Sequence, residues 1–279
     1  MKCRYCIQEK TITREHIIPS FLYKFQADSG IPNVGWNARA QDVIGGEAKI
    51  ADVCNECNNG PLSDLDGYGQ SFLIGNGFLT QSFLKTKTDI NYDYYMLLRW
   101  VMKISYNAAV AVNERHSSIF ESYREFILKG TNIPEKNEVM MFFGLSSPVK
   151  INGKLEDGCN IEVSKDNLCA PFFVRISNNI PDFIPQKILM RGVYFGSLFI
   201  HIAILKHSKT SRSLFKRQVF KTAKIKYVHP ETSACHIETC GKTWAELCEK
   251  QTAIEYGTVG FEKLDKKLRN LKIPKKKKI

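Results

Sequence analysis

The stretch DVCNECNNG, Asp52–Gly60, decides how this chain is read, because its Cys54 and Cys57 repeat a spacing already met at the start, in CRYC, Cys3–Cys6. Two residues between cysteines let one tight turn aim both sulfurs at a single ion. Two such pairs in one short segment supply the four thiolates of a tetrahedral zinc site. None of the four lies in an apolar run that would bury it as an ordinary core thiol. A zinc with all four positions filled by cysteine is structural, so any chemistry must sit elsewhere.

Between the pairs stands TREHIIPSF, Thr13–Phe21, where Glu15 and His16 adjoin at the head of a β-branched run stopped by Pro19. This reads as the end of a short strand, with the two side chains on opposite faces. Asn58 follows Cys57 directly, where the zinc would fix the backbone and a helix would begin. A carboxylate from Glu15 and an amide oxygen from Asn58 form a hard, oxygen-only partial shell, suited to Mg²⁺ or Mn²⁺. Asn59 could share that task, and Asp64 and Asp66 read as supporting or helix-surface residues.

Over residues 3 to about 66 the combined pattern CRYC…TREHIIPSF…DVCNECNNGPLSDLD resembles the HNH endonucleases of the zinc-stapled kind, whose core is the ββα-metal fold. The resemblance implies phosphodiester hydrolysis in DNA, with RNA as an alternative substrate. It makes His16 the general base, and Glu15 and Asn58 the ligands of a catalytic Mg²⁺ or Mn²⁺. Cys3, Cys6, Cys54 and Cys57 become ligands of a structural Zn²⁺. The implied products carry 5′-phosphates. Modules of this kind occur fused to other domains in bacterial restriction and anti-phage defence proteins. Two positions depart from the family. Its middle asparagine, which orients the histidine, falls near Lys49, leaving a backbone carbonyl or Asp52 to replace it. Where a lysine often follows the last ligand, this chain has Pro61. Phosphate grip would then fall to Arg14 or to basic segments farther along. The opposing class is a zinc-stapled nucleic-acid-binding or regulatory protein without cleavage, which has no need of Glu15, His16 and Asn58 together.

Charge supports a polyanionic partner. The chain carries a net +12, yet residues 1–72 hold 7 Lys/Arg against 9 Asp/Glu, so the excess lies beyond them. Lys206–Lys226 has eight Lys/Arg and no acid, and Lys263–Ile279 has nine with one acid, Asp265. Such stripes suit phosphate contacts, and Lys216 and Arg217 are the candidates in the first. The solvated-surface alternative applies most to the tail. The absence of a signal segment or a membrane-length apolar run points to a cytoplasmic protein with no membrane partner, in which nine cysteines would be thiols or ligands.

The expected fold class is α+β. A small metal module at 1–72 is followed by a helical plus β domain at 73–262 and a basic tail at 263–279. Residues 30–46 read as a loop or a loosely paired strand. Apolar spacing of three and four predicts helices over 92–129, with Lys and Arg on the outer side and Gly130 as a C-cap. EVMMFFGLSS, CNIEVS, FFVRIS, KILMRGVYFGSLFIHIAIL and RQVFKTAKIKYV read as strands of a mostly antiparallel sheet, and TWAELCEKQTAIEY as a final helix. His201, Cys169, Arg99 and Trp100 read as packing residues. Cys235, His236, Cys240 and Cys248 fit no common ligand spacing. The second domain is a candidate for holding DNA, for sensing, or for binding a protein partner or a second copy of the chain.

Overall fold

The computed structural model describes residues 1–30, 33–37, 42–112, 116–135, 138–151, 163–178, 188–205 and 212–247. The basic tail, Cys248 and most of the expected CNIEVS strand lie outside them.

The first strand, β1 (Ile12–His16), is followed by α1 (Ser20–Asp28), after Pro19 has stopped the strand. Short strands β2 (Val34–Asn37) and β3 (Asp42–Gly45) pair with each other, and β4 (Lys49–Cys54) returns antiparallel to β1. Helix follows at once: α2 (Asn55–Cys57), a π-helical turn at Asn58–Leu62, and α3 (Ser63–Gly75). Gly60, at φ −105° and ψ −110°, and Pro61 kink that passage, since Pro61 can neither donate a helical hydrogen bond nor avoid the preceding carbonyls.

After β5 (Lys87–Asn91) comes the central helix α4 (Tyr94–Ala111), started by Asp93, whose carboxylate accepts from the Met96 N–H at 3.0 Å. Gly69 of α3 lets the two helices close up. A Cβ there would stand 2.1 Å from the Trp100 ring. Helices α5 (Ser117–Glu121) and α6 (Arg124–Lys129) follow, the latter closed by Gly130 in the left-handed conformation at φ 74°. Arg99 donates to the Ile127 and Leu128 carbonyls of α6.

The remaining strands are β6 (Val139–Ser147), β7 (Val149–Lys150), β8 (Leu168–Cys169), β9 (Val174–Asn178), β10 (Leu189–Phe195) and β11 (Leu198–Ile204). After α7 (Arg212–Ala223) come β12 (Lys226–Val228) and β13 (Ala234–Thr243). Seven strands form one sheet in the order β5-β13-β6-β11-β10-β9, with β12 also against β6. All its pairings are antiparallel except β13 with β6. The expected α+β class with a mostly antiparallel sheet is the observed one.

Both sheet faces are covered, which explains the unbroken apolar runs. Along β6, Met141, Phe143 and Leu145 join the core under α4, whereas Met140 and Phe142 face a second cluster with Phe215 and Val219 of α7. The first cluster is continuous from Cys3, Tyr5 and Val53 through Leu97 and Val101 to Ile200 and Ile202. His201 and Cys169 are buried, as expected of packing residues. Burial holds the His201 imidazole down to about 4. No described helix is long and apolar enough to cross a membrane.

Two expectations need correction. RQVFKTAKIKYV is not one strand: its first part belongs to α7 and only Lys226–Val228 pairs in the sheet. Phe215 and Val219, four residues apart, share the inner face of the helix. The basic residues of α4 do not all lie on an outer side either. Lys103 is 1% exposed and is tied to two carboxylates. The final helix begins as expected at Trp244, with Thr243 and Glu246 exchanging backbone hydrogen bonds as a capping box.

Candidate metal centre and the polar site beside it

The Cys3–Cys6 turn is closed by the Ile7 N–H donating to the Cys3 carbonyl at 2.9 Å and the Cys3 N–H donating to Gln8 at 2.9 Å. Cys54 ends β4 and Cys57 ends α2, so a strand-to-helix junction supplies the second pair. All four sulfurs lie within 4.8 Å of one another. Cys6 and Cys54 stand 3.8 Å apart at sulfur, the edge of about 3.8 Å that a tetrahedron with zinc–sulfur bonds near 2.3 Å requires. Three of the four are buried.

Burial opposes ionisation of Cys3, but N–H groups of Cys54, Cys6 and Tyr5 converge on its sulfur and bring the thiol down to about 7. Burial and the neighbouring sulfurs push Cys57 up instead. Four thiolates this close repel one another, and a dication resolves that conflict. The residues fit a zinc ion.

The polar site occupies the other end of the same strand pair. Glu15 pairs with Ile50 and His16 with Lys49, after an irregularity between Thr13 and Arg14 that re-aims the strand. Glu15 turns inward and is 3% exposed. Its Oε1 meets Lys103 Nζ at 2.8 Å and accepts from Asn107 Nδ2 at 3.3 Å, both residues of α4. Lys103 also pairs with Asp66 Oδ2 at 2.6 Å, and Trp100 donates to Asp66 Oδ1 at 3.2 Å. Burial raises the Asp66 carboxyl above the usual range, with Lys103 pulling the other way. Asp66 is therefore part of an ion-pair network and not a helix-surface residue, while Asp64 is exposed.

Asn107 is the hub of this network. Its oxygen accepts from Arg4 Nη2 and the Tyr5 hydroxyl, each at 2.8 Å, and its nitrogen donates to the His16 carbonyl at 2.8 Å. Arg4 in turn pairs with Asp52 at 2.9 Å. Asp52 thus serves Arg4.

His16 sits at the strand end with its side chain 24% exposed, and its Nε2 lies 2.9 Å from Glu47 Oε2. Lys49 Nζ is 2.8 Å from the same oxygen. Lys49 first, and then His16, hold the Glu47 carboxyl below the usual range. Asn58 reaches back to β1, its Nδ2 donating to Thr13 Oγ1 at 2.9 Å and to the Arg14 carbonyl at 3.1 Å. Asn59 bonds to Asn55 on its own helix instead.

The committed atoms are as telling as the residues. Both bonds to Glu15 fall on Oε1 and both bonds from Asn58 leave through Nδ2. Among the described residues no hydrogen bond engages Glu15 Oε2, Asn58 Oδ1 or His16 Nδ1. Two carboxylates on one ammonium also leave excess negative charge beside Glu15. Carboxylate and amide oxygens are the donor type that hard divalent cations take.

The candidate phosphate-binding residues are dispersed. Arg14 is exposed on β1, and Arg217 is exposed on α7. Lys216 places Nζ 3.4 Å from the Tyr227 ring centroid. Glu47, Lys103 and Asn107 were not singled out from the sequence. Asn107 and Lys103 are ordinary polar letters in a helical run, about ninety positions from their partners. Glu47 had a signal through the resemblance alone, standing two residues before Lys49, where the asparagine of an HNH nuclease would fall. Among the described residues the four cysteines form the one cluster of potential metal ligands, so Cys235, His236 and Cys240 do not add a second. No family model matches this chain, and neither the curated proteins nor the solved structures contain a match to it.

Proposed function

We propose that this chain is a metal-dependent endonuclease of the HNH kind, hydrolysing phosphodiester bonds in DNA. The observation that carries the reading is that Asn58, one residue past the cysteine pair, is tied to the β1 backbone next to Glu15 and His16. The order of β1, β4 and helix, with cysteines at the junction, supports reading this segment as a ββα-metal module. Glu15 and Asn58 would hold Mg²⁺ or Mn²⁺ through Oε2 and Oδ1. Bound there, the ion supplies charge stabilisation for a nonbridging phosphate oxygen and the leaving 3′-oxygen.

His16 is the general base. A water gives its proton to the ring nitrogen not engaged by Glu47, while its oxygen forms a bond to phosphorus and the bond to the 3′-oxygen breaks. The 3′-oxygen leaves with a proton from solvent, and the 5′-phosphate stays on the other fragment. The polar network through Asn107 and Lys103 keeps the strand end and α4 in fixed relation during this step.

A nucleic-acid-binding protein without cleavage is the second reading, favoured by the near-complete burial of Glu15 against Lys103. The test is cleavage of supercoiled plasmid and of a structured RNA with Mg²⁺ or Mn²⁺, for wild type and His16→Ala. Endonuclease chemistry requires wild-type cleavage and a loss of at least about 100-fold in the variant at unchanged zinc content. Retention of cleavage in His16→Ala would remove His16 from the mechanism. Binding to both polymers without cleavage by wild type would favour the second reading.

A further inference from the structure

We propose that Glu47 is the positioning residue for His16, holding the imidazole by Nε2–H so that Nδ1 is its proton acceptor. The inference deepens the nuclease reading and rests on it for its kinetic part only. A carboxylate accepts hydrogen bonds and cannot donate them, and a neutral imidazole carries one N–H. With Glu47 Oε2 2.9 Å from Nε2, that nitrogen is the donor. The lone pair is then on Nδ1, the ring nitrogen with no hydrogen bond among the described residues. Fixing the tautomer in this way is how a partner carboxylate makes a histidine an effective base.

Glu47 is placed well for the task by its backbone. Gly46, immediately before it, takes φ +91°, and its N–H donates to Asn33. Ala48, immediately after it, is held at both ends: its N–H donates to the Tyr23 hydroxyl at 3.0 Å and its carbonyl accepts from the Ile17 N–H at 3.0 Å. One residue on, Lys49 enters register opposite His16. The loop tip that carries Glu47 is therefore fixed against the strand that carries His16. Lys49 shares the Glu47 oxygen and keeps the carboxylate ionised, so it remains an acceptor. No other described side chain bonds the His16 ring, and the alternative from the sequence, Asp52, is spent on Arg4.

The test is the ¹⁵N spectrum of His16 in the zinc-loaded full chain at mildly alkaline pH, where imidazole nitrogens report which one carries the proton. It is read for wild type, Glu47→Ala and Glu47→Gln, with plasmid cleavage on the same samples. The proposal expects the Nε2–H tautomer in wild type, a mixed population in Glu47→Ala, and recovery in Glu47→Gln, whose amide oxygen still accepts. It also expects kcat to fall by about 10- to 100-fold in Glu47→Ala with KM little changed. Glu47 is 41% exposed, so its loss should leave folding and zinc content intact. An unchanged tautomer in Glu47→Ala would overturn the proposal, as would a wild-type ring protonated at Nδ1. A tautomer shift in a protein that cleaves neither substrate would uphold the positioning and defeat the nuclease reading instead.

Discussion

The strand pair β1–β4 is held at its two ends by opposite means. At one end four sulfurs meet within 4.8 Å and could share a cation. At the other, Glu15 and Asp66 flank Lys103, so the counter-charge is part of the chain and comes from α4. The first end offers ligands to an ion from outside, and the second relies on a helix that enters the sequence after residue 93. The difference teaches that the cysteine-bearing segment does not keep the Glu15–His16 strand end in place by itself. Its cysteines hold the junction, whereas the placement of Glu15 and His16 depends on Lys103 and Asn107.

The largest effect should come from breaking the cysteine end. Zinc-finger peptides couple about 10–16 kcal/mol of metal binding to folding. Cys57→Ala, or treatment with a strong chelator, should therefore strip a stoichiometric zinc and expose the β1 and β4 amides to hydrogen exchange. The β10 and β11 amides, buried on both faces, should keep their protection. Mass spectrometry finding no zinc in native wild type, with β1 and β4 still protected, would mean that the four thiols pack without an ion.

Breaking the other end should cost less. Lys103→Met removes the one cation between two carboxylates, and Lys103 is 1% exposed. Removing one partner of a buried ion pair typically costs about 3–5 kcal/mol, because the remaining charge is left without compensation. Urea unfolding should show this loss, and Asp66→Asn added to Lys103→Met should restore part of it. A cost below about 1 kcal/mol would show that solvent reaches the triad and screens it.

This contrast also explains what could be read from the sequence. The cysteine end is local: each pair declares itself by spacing, and only the meeting of the pairs is long-range. The triad is long-range throughout. A lysine in the run YYMLLRWVMKISYNAAVA looks like the solvent side of an amphipathic helix, and its partners lie 37 and 88 residues away. The sheet divided in the same way. The β10–β11 hairpin lay inside one strand-like run, KILMRGVYFGSLFIHIAIL, which reverses at Gly196, whose φ of 59° suits glycine in a tight turn. Helix α7 was mistaken for a strand because its buried inner face rests on Phe215 and Val219, and a window opening at Arg217 leaves out the first. Strand β13 was missed because its half-buried Cys235 and exposed His236 drew attention as ligands, while its pairing partner β5 lies far off in sequence.

The smallest prediction separates the two cysteine turns themselves. Cys54–Cys57 runs on into helix, but Cys3–Cys6 must reverse, and Ile7 makes that reversal at φ 62°. A β-branched residue there costs about 1–2 kcal/mol by crowding of Cβ against the following carbonyl. Glycine escapes that cost but loses about 0.5–1 kcal/mol more in chain entropy on folding. Ile7 is 44% exposed, so little packing is forfeited with its side chain. Ile7→Gly should thus stabilise the folded zinc-loaded chain by about 0.5–1 kcal/mol in thermal or urea unfolding, with the Ile7 N–H bond to Cys3 retained. A loss of stability would mean that the Ile7 side chain covers the cysteine cluster enough to outweigh its backbone strain. Because this strain sits at the cysteine end, the gain should add to the Lys103→Met loss without coupling to it.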